Sequence, residues 1–141
     1  MSNQIDARGP RFGALITTVV LAVILVSIPS SLATVLLAVQ TTAFGLGAFA
    51  GLKAQPYGII YRTVVAPRLS APTKFEAPQP PRFAQFVGFI FAIVGLVALL
   101  AGSTLVAQIA VGFALGAAFL NAAFAICLGC EMYVIGKRIF N

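Results

Sequence analysis

Four uninterrupted apolar stretches divide the chain: Phe12 to Ile28, Leu32 to Gly51, Phe83 to Ala101 and Leu105 to Ile126. Every charged side chain lies outside them. Each stretch is close to the ~20 residues a helix needs to cross about 30 Å of hydrocarbon. The first is slightly short, and Arg11 at its edge can snorkel to the interface. Two short uncharged connectors, Pro29-Ser30-Ser31 and Gly102-Ser103-Thr104, join the stretches into two hairpins. The pattern predicts an all-α integral membrane bundle of four transmembrane helices in one domain, residues 1–141.

The two hairpins resemble each other. Pro10-Arg11-Phe12 matches Pro81-Arg82-Phe83, and Phe44-Gly45-Leu46-Gly47-Ala48 matches Phe113-Ala114-Leu115-Gly116-Ala117. This order is expected of a duplicated unit. The first repeat then covers about 8–66, a linker 67–80, and the second repeat about 81–139. Ala43, Gly47 and Gly51, and likewise Gly112 and Gly116, recur every four residues, a spacing that lets membrane helices approach closely. The second and fourth spans are therefore expected to form the central contact, with Gln40, Gln108 and Asn121 hydrogen-bonding between helices.

The middle connection, Leu52 to Arg82, is too long for a plain loop. Pro56 is placed to open a short helix through Ala66, with Tyr57, Ile60, Tyr61 and Val64 suited to the headgroup region. Pro67, Pro72, Pro78, Pro80 and Pro81 favour a stiff, extended path beyond it. The segment after Cys130 combines Met132, Tyr133 and Ile135 with Lys137 and Arg138, so each hairpin is expected to end in a short interfacial helix. Met1 to Pro10 reads as a polar tail.

Of the 141 residues 60% are hydrophobic and only 9% charged, against roughly a quarter charged in a soluble domain. Lipid must cover such a surface. The net charge of +6 comes from cations flanking apolar spans, which points to anionic headgroups and away from nucleic acid. All nine basic residues can share one face, which the positive-inside bias makes cytoplasmic, together with both termini. Basic residues before an apolar run also suit a secretory leader, but Ser27-Ile28-Pro29 is a poor cleavage site and the run has a counterpart in the second hairpin.

There is no His, and the carboxylates Asp6, Glu76 and Glu131 lie outside the spans, which argues against proton pumping through a buried acid. No phosphate-cradling loop or other cofactor motif is present. The one constellation with chemistry is Cys127-Leu128-Gly129-Cys130. Residues three apart on a helix lie about 5–6 Å apart, within disulfide reach. Such a pair can cycle between dithiol and disulfide, and a reducing cytosol argues against a merely structural bond. Cys130, nearer the charged tail, is expected to be the exposed sulfur, with Cys127 resolving and Glu131 as a proton acceptor. A helix running through both would place them at its C-terminal end, where the dipole disfavours a thiolate; a break at Gly129 would reverse this. Two cysteines can also be plain packing residues. A structural zinc site would need ligands from a second chain, and Glu131 stands where haem attachment requires His.

The segment from Phe119 to Tyr133, with Cys127-Leu128-Gly129-Cys130-Glu131-Met132-Tyr133 at its end, resembles the C-terminal signature of a small bacterial membrane family known as a domain of unknown function, common in high-GC Gram-positive bacteria. Pro56-Tyr57-Gly58, Pro67-Arg68-Leu69 and Pro81-Arg82-Phe83-Ala84-Gln85 carry the resemblance along the chain. It implies a bacterial inner-membrane protein and a neighbourhood of thioredoxin-like proteins and sulfurtransferases, hence thiol redox or sulfur transfer through Cys127 and Cys130. A looser similarity is to four-helix membrane thiol oxidoreductases that pass electrons to quinone; a second cysteine pair is missing here, and this pair faces the cytosol by the charge rule. Two other classes stand beside this reading. One is an accessory subunit of a larger membrane complex or a homo-oligomer. The other is a small transporter of a sulfur compound.

Overall fold

The computed structural model describes residues 5–6, 8–71, 75–76, 79–124 and 126–140. Its four long helices are α1 (Arg8–Ser27), α2 (Ser31–Gly45, continued by a wider π turn, Leu46–Ala50), α4 (Gln79–Leu100) and α5 (Thr104–Phe124). All four are long and apolar enough to span a membrane. Between the hairpins lies α3 (Pro56–Ile60), which runs on through a π turn to Val65 and a tight turn to Arg68. After α5 comes α6 (Leu128–Phe140).

Local chemistry explains the boundaries. Ser30 caps α2, its hydroxyl accepting from the Ala33 N–H. Pro56 stands at the first position of α3, where a missing N–H costs nothing, and the Gln55 side chain accepts from the Gly58 N–H at 2.9 Å. The second hairpin turns at Gly102, whose φ of +84° favours glycine. Helix α4 begins at Gln79, before the apolar run, because Pro80 and Pro81 fit a first turn.

The spans form a ring in which each packs on two neighbours: α1 on α2 and α5, and α4 on α2 and α5. The expected central contact between the second and fourth spans is not made; α2 and α5 have no substantial contact. Gly112 and Gly116 have no neighbour near enough to meet an added Cβ, so that stripe faces outward. Helix α5 packs instead through Ala107, Ala110, Val111 and Ala114. Gln108 is exposed, and the fully buried Gln40 accepts from the Tyr57 hydroxyl at 2.7 Å rather than reaching the fourth span.

Burial runs opposite to that of a soluble protein. Small residues such as Ala33, Ala43, Ala92 and Ala107 are inside, while Val19, Val26, Leu100 and Leu105 face out. Lipid is as apolar as Leu, so helices gain most from close backbone approach, and bulky side chains suit the lipid face. Leu21, Ile24, Leu37 and Val111 fill the core toward the hairpin turns.

Both arginines of the Pro-Arg-Phe motifs close helix ends. Arg11 Nη2 donates to the Ala122 carbonyl of α5 at 3.1 Å. Arg82 donates to the Ala48 and Phe49 carbonyls at the end of the second span, at 3.0 and 3.2 Å. A cation there satisfies orphan acceptors and complements the dipole. These contacts put the starts of α1 and α4 and the ends of α2 and α5 on one face. Arg82→Ala is expected to lower stability by about 0.5–1 kcal/mol and to fray the Leu46–Ala50 turn. Hydrogen exchange across that turn in lipid nanodiscs checks this.

The N-terminal tail, expected to be polar, and the proline-rich segment, expected to be stiff and extended, meet in a two-residue antiparallel strand pair, β1 (Ile5–Asp6) with β2 (Phe75–Glu76). Asp6 accepts from the Arg8 backbone N–H at 3.0 Å, pairs with the Arg8 guanidinium at 3.0 Å, and accepts from the buried Tyr61 hydroxyl at 2.7 Å. Burial pushes the Asp6 carboxyl upward, but the bonds from Arg8 and Tyr61 outweigh it and hold the group below its ordinary 3.8. The strap is therefore whole at neutral pH and down through that ordinary value, and is lost as acid takes pH through the lower folded value. Asp6→Asn is expected to release residues 5–8 already at neutral pH, whereas the native strap opens only in strong acid. Amide exchange measured against pH separates the two.

Candidate functional site

Helix α5 ends at Phe124, and α6 begins at Leu128. The break thus falls just before Cys127, not at Gly129. Cys127 stands at the cap position of α6, its carbonyl accepting the Glu131 N–H at 3.0 Å. Cys130 lies within the first turn. The Cys130 backbone N–H donates to Cys127 Sγ at 3.1 Å. The two sulfurs are joined in a disulfide, with Cα atoms 5.1 Å apart, so the structure holds the oxidised form of the pair. Both residues are half-buried.

The helix start favours negative charge through its free N–H groups and dipole. Cys127 stands where such a field is strongest, a position that favours a thiolate in proteins generally. Glu131, exposed in the first turn of α6, also suits the helix start, although its charge opposes a thiolate beside it. Lys137 and Arg138 occupy the last turn, and Lys137 sits over the Tyr133 ring at 5.9 Å.

The pair is held in place by one close contact. A Cβ built on Gly129 would lie 2.6 Å from both Cα and Cβ of Ala84, so α6 crosses α4 with backbone against backbone. The Phe83 and Tyr133 rings, 5.8 Å apart, add to this seam.

Beneath the disulfide lies a cavity of about 260 Å³. All four spans contribute walls, with Phe44, Phe91 and Phe113 as its aromatic lining and Cys127, Leu128 and Gly129 as its roof. Asn121, which the sequence pattern assigns to an interhelical bond, lines this cavity instead. A second cavity of about 250 Å³ lies nearer the polar face, beside Lys53, Tyr61 and Arg62. Gln85 borders both, and its Oε1 is buried without a hydrogen-bond partner. Neither the cavities nor Gln85 were foreseen from sequence; the Gln85 amide, two residues into an apolar run, is the signal that could have marked them. Among the described residues no group of three metal-ligating side chains comes together.

The family model described as Domain of unknown function (DUF4395) matches residues 5–138. No curated protein and no solved structure is significantly similar to the chain. The chain belongs to the DUF4395 family, here seen as a multi-span helical membrane bundle with a CxxC pair at the start of its last helix.

Proposed function

We propose that this DUF4395 protein is a membrane-bound thiol oxidoreductase or sulfur-transfer protein working through Cys127 and Cys130. The observation that carries this is the disulfide at the start of α6, with Cys127 Sγ accepting the Cys130 N–H. A sulfur so placed is favoured as thiolate and as leaving group. The roles expected from sequence are accordingly exchanged. Cys127 attacks a partner's disulfide, and Cys130 then attacks Cys127 Sγ, which closes the internal disulfide and releases the partner's second thiol. From a persulfide Cys127 takes the outer sulfur as the partner's thiol leaves, and closure by Cys130 expels that sulfur as hydrosulfide. Glu131 takes up the proton of the resolving thiol. A thioredoxin-like protein or a sulfurtransferase is the fitting partner.

The compartment follows from charge. The face that carries α6 also carries Arg11, Lys53, Arg82 and Lys137, and positive residues mark the cytoplasmic side of a bacterial inner membrane. Both termini then face the cytoplasm. Duplication of a hairpin plus short helix accounts for this arrangement: α3 packs on α1 as α6 packs on α4, and Gly58 and Gly129 stand at the same offset as Pro10 and Pro81. Only the second copy carries cysteines.

Inside-out vesicles treated with a soluble dithiol should take up two equivalents of a membrane-impermeant maleimide, and a double serine variant none. An absence of labelling, with function kept in the double variant, would end this reading.

One observation supports a second reading, a subunit of a homo-oligomer or larger complex. Gly112 and Gly116 form a small-residue stripe on the outward face of α5, where another helix could approach closely. Copurification of a stoichiometric partner, lost in Gly112→Leu and kept without cysteines, would favour it.

A further inference from the structure

The second cavity, on the polar face, is lined with charge. Lys53 and Arg62 stand on its wall, and neither has a carboxylate partner among the described residues. The carboxylate that also lines it, Asp6, is already matched by Arg8 at 3.0 Å and by the Tyr61 hydroxyl at 2.7 Å. The cavity is thus left with positive charge to satisfy, and an anion is the ligand that satisfies it.

Two features separate it from loose surface charge. Arg62 Nη2 donates to the Lys53 carbonyl at 2.8 Å, which pins the guanidinium and leaves most of its five N–H donors free. A Cβ on Gly58 would lie 3.3 Å from Arg62 Nη1 and from the Leu52 carbonyl oxygen, so glycine there makes room for the guanidinium. Gln55 lines the cavity although it is only 5% exposed. Its Oε1 accepts the Gly58 N–H at 2.9 Å, which leaves the amide N–H2 as the end free to donate. So enclosed a donor is satisfied by what enters the cavity.

The place and size narrow the anion. The walls come from the start of α1 and from the turn Leu52–Ala54 just past the second span, which is headgroup depth for this bundle. Ile59 and Ile60 are exposed beside Gly58 on α3, where acyl chains would cover them. The volume of about 250 Å³ is several times the ~30 Å³ share of a water molecule. We propose that this cavity seats a phosphate ester, with Lys53, Arg62 and the Gln55 amide donating to its oxygens. A phospholipid headgroup and a soluble glycerol phosphate both present that group. The site is independent of the cysteine pair. It also differs from the diffuse attraction of basic residues to an anionic leaflet, in which each cation counts by charge wherever it sits.

Native mass spectrometry of the full-length protein in detergent tests this, with phosphatidylglycerol, diacylglycerol or glycerol 1-phosphate added. The expected result is one phosphatidylglycerol retained per chain and no comparable retention of diacylglycerol. Lys53→Gln and Gln55→Glu should each weaken retention about tenfold. Gln55→Glu keeps the shape and the acceptor for the Gly58 N–H but sets a carboxylate where the amide donated. Lys53→Gln, on an exposed turn, covers the case in which the buried variant does not assemble. Arg68→Gln removes the same charge outside the cavity and should leave retention unchanged. Retained glycerol 1-phosphate that is lost in Lys53→Gln and Gln55→Glu would also support the site and assign it to the soluble ester. Equal losses in Lys53→Gln and Arg68→Gln would reduce the effect to diffuse attraction, and diacylglycerol held as well as phosphatidylglycerol would reduce it to the acyl chains. Either result, or no phosphate ester retained, would overturn the proposal.

Discussion

Gly129→Ala is expected to lift the start of α6 away from α4 and to disable the cysteine pair. Helix propensity alone predicts the reverse, since alanine is about 0.8–1 kcal/mol better than glycine in a helix. The added methyl would meet the Ala84 backbone at 2.6 Å, however, and backbone cannot swing aside. Overpacking of this kind costs about 1–3 kcal/mol, so the clash wins. Gly136→Ala is the internal control: it lies two turns further along the same helix with open space around it, and should be neutral or stabilising by up to about 1 kcal/mol. Ala84→Gly should rescue Gly129→Ala only in part, because the Ala84 Cα remains in the way. Thermal melting and the alkylation rate of the reduced thiols, measured in nanodiscs, read all three variants.

Cys130→Ser and Cys127→Ser should differ in kind. With Cys127 as attacking sulfur, Cys130→Ser keeps a nucleophile but loses the group that resolves it, so a mixed disulfide with the partner accumulates. Cys127→Ser leaves Cys130 without the field at the helix cap and should form no such adduct. Turnover falls by several orders of magnitude in both, because no dithiol cycle closes without two sulfurs. Non-reducing gels with a thioredoxin-like protein as probe show which variant traps it. Trapping by Cys127→Ser instead would restore the opposite order, with Cys130 attacking.

The spans and their common face were readable from the sequence because lipid imposes a length and a polarity that few side chains escape. What failed was the packing between them. Gly47 and Gly116 look alike in a sequence, yet Gly47 is buried against Gln55 and Gln85 while Gly116 faces lipid. A spacing of four residues says that a face is smooth, not which way it turns. Gln40 and Gln108 show the same: one finds Tyr57 inside, the other faces outward. The cysteine pair was legible from spacing. Its position at a helix start was not, because the chain breaks at an apolar stretch before Cys127 that carries neither proline nor a common capping residue. The cavity depends on α6 folding back over the bundle through the Gly129–Ala84 contact, which no local pattern announces.

A titration of the wild-type protein in nanodiscs against buffered thiol–disulfide mixtures, followed by alkylation and intact mass, tests the central claim most directly. Both cysteines should lose and regain their label together in a single reversible two-electron transition. Thiols that stay labelled under every oxidising mixture, or a bond that no soluble dithiol opens, would show that the sulfurs at the head of α6 merely fill space.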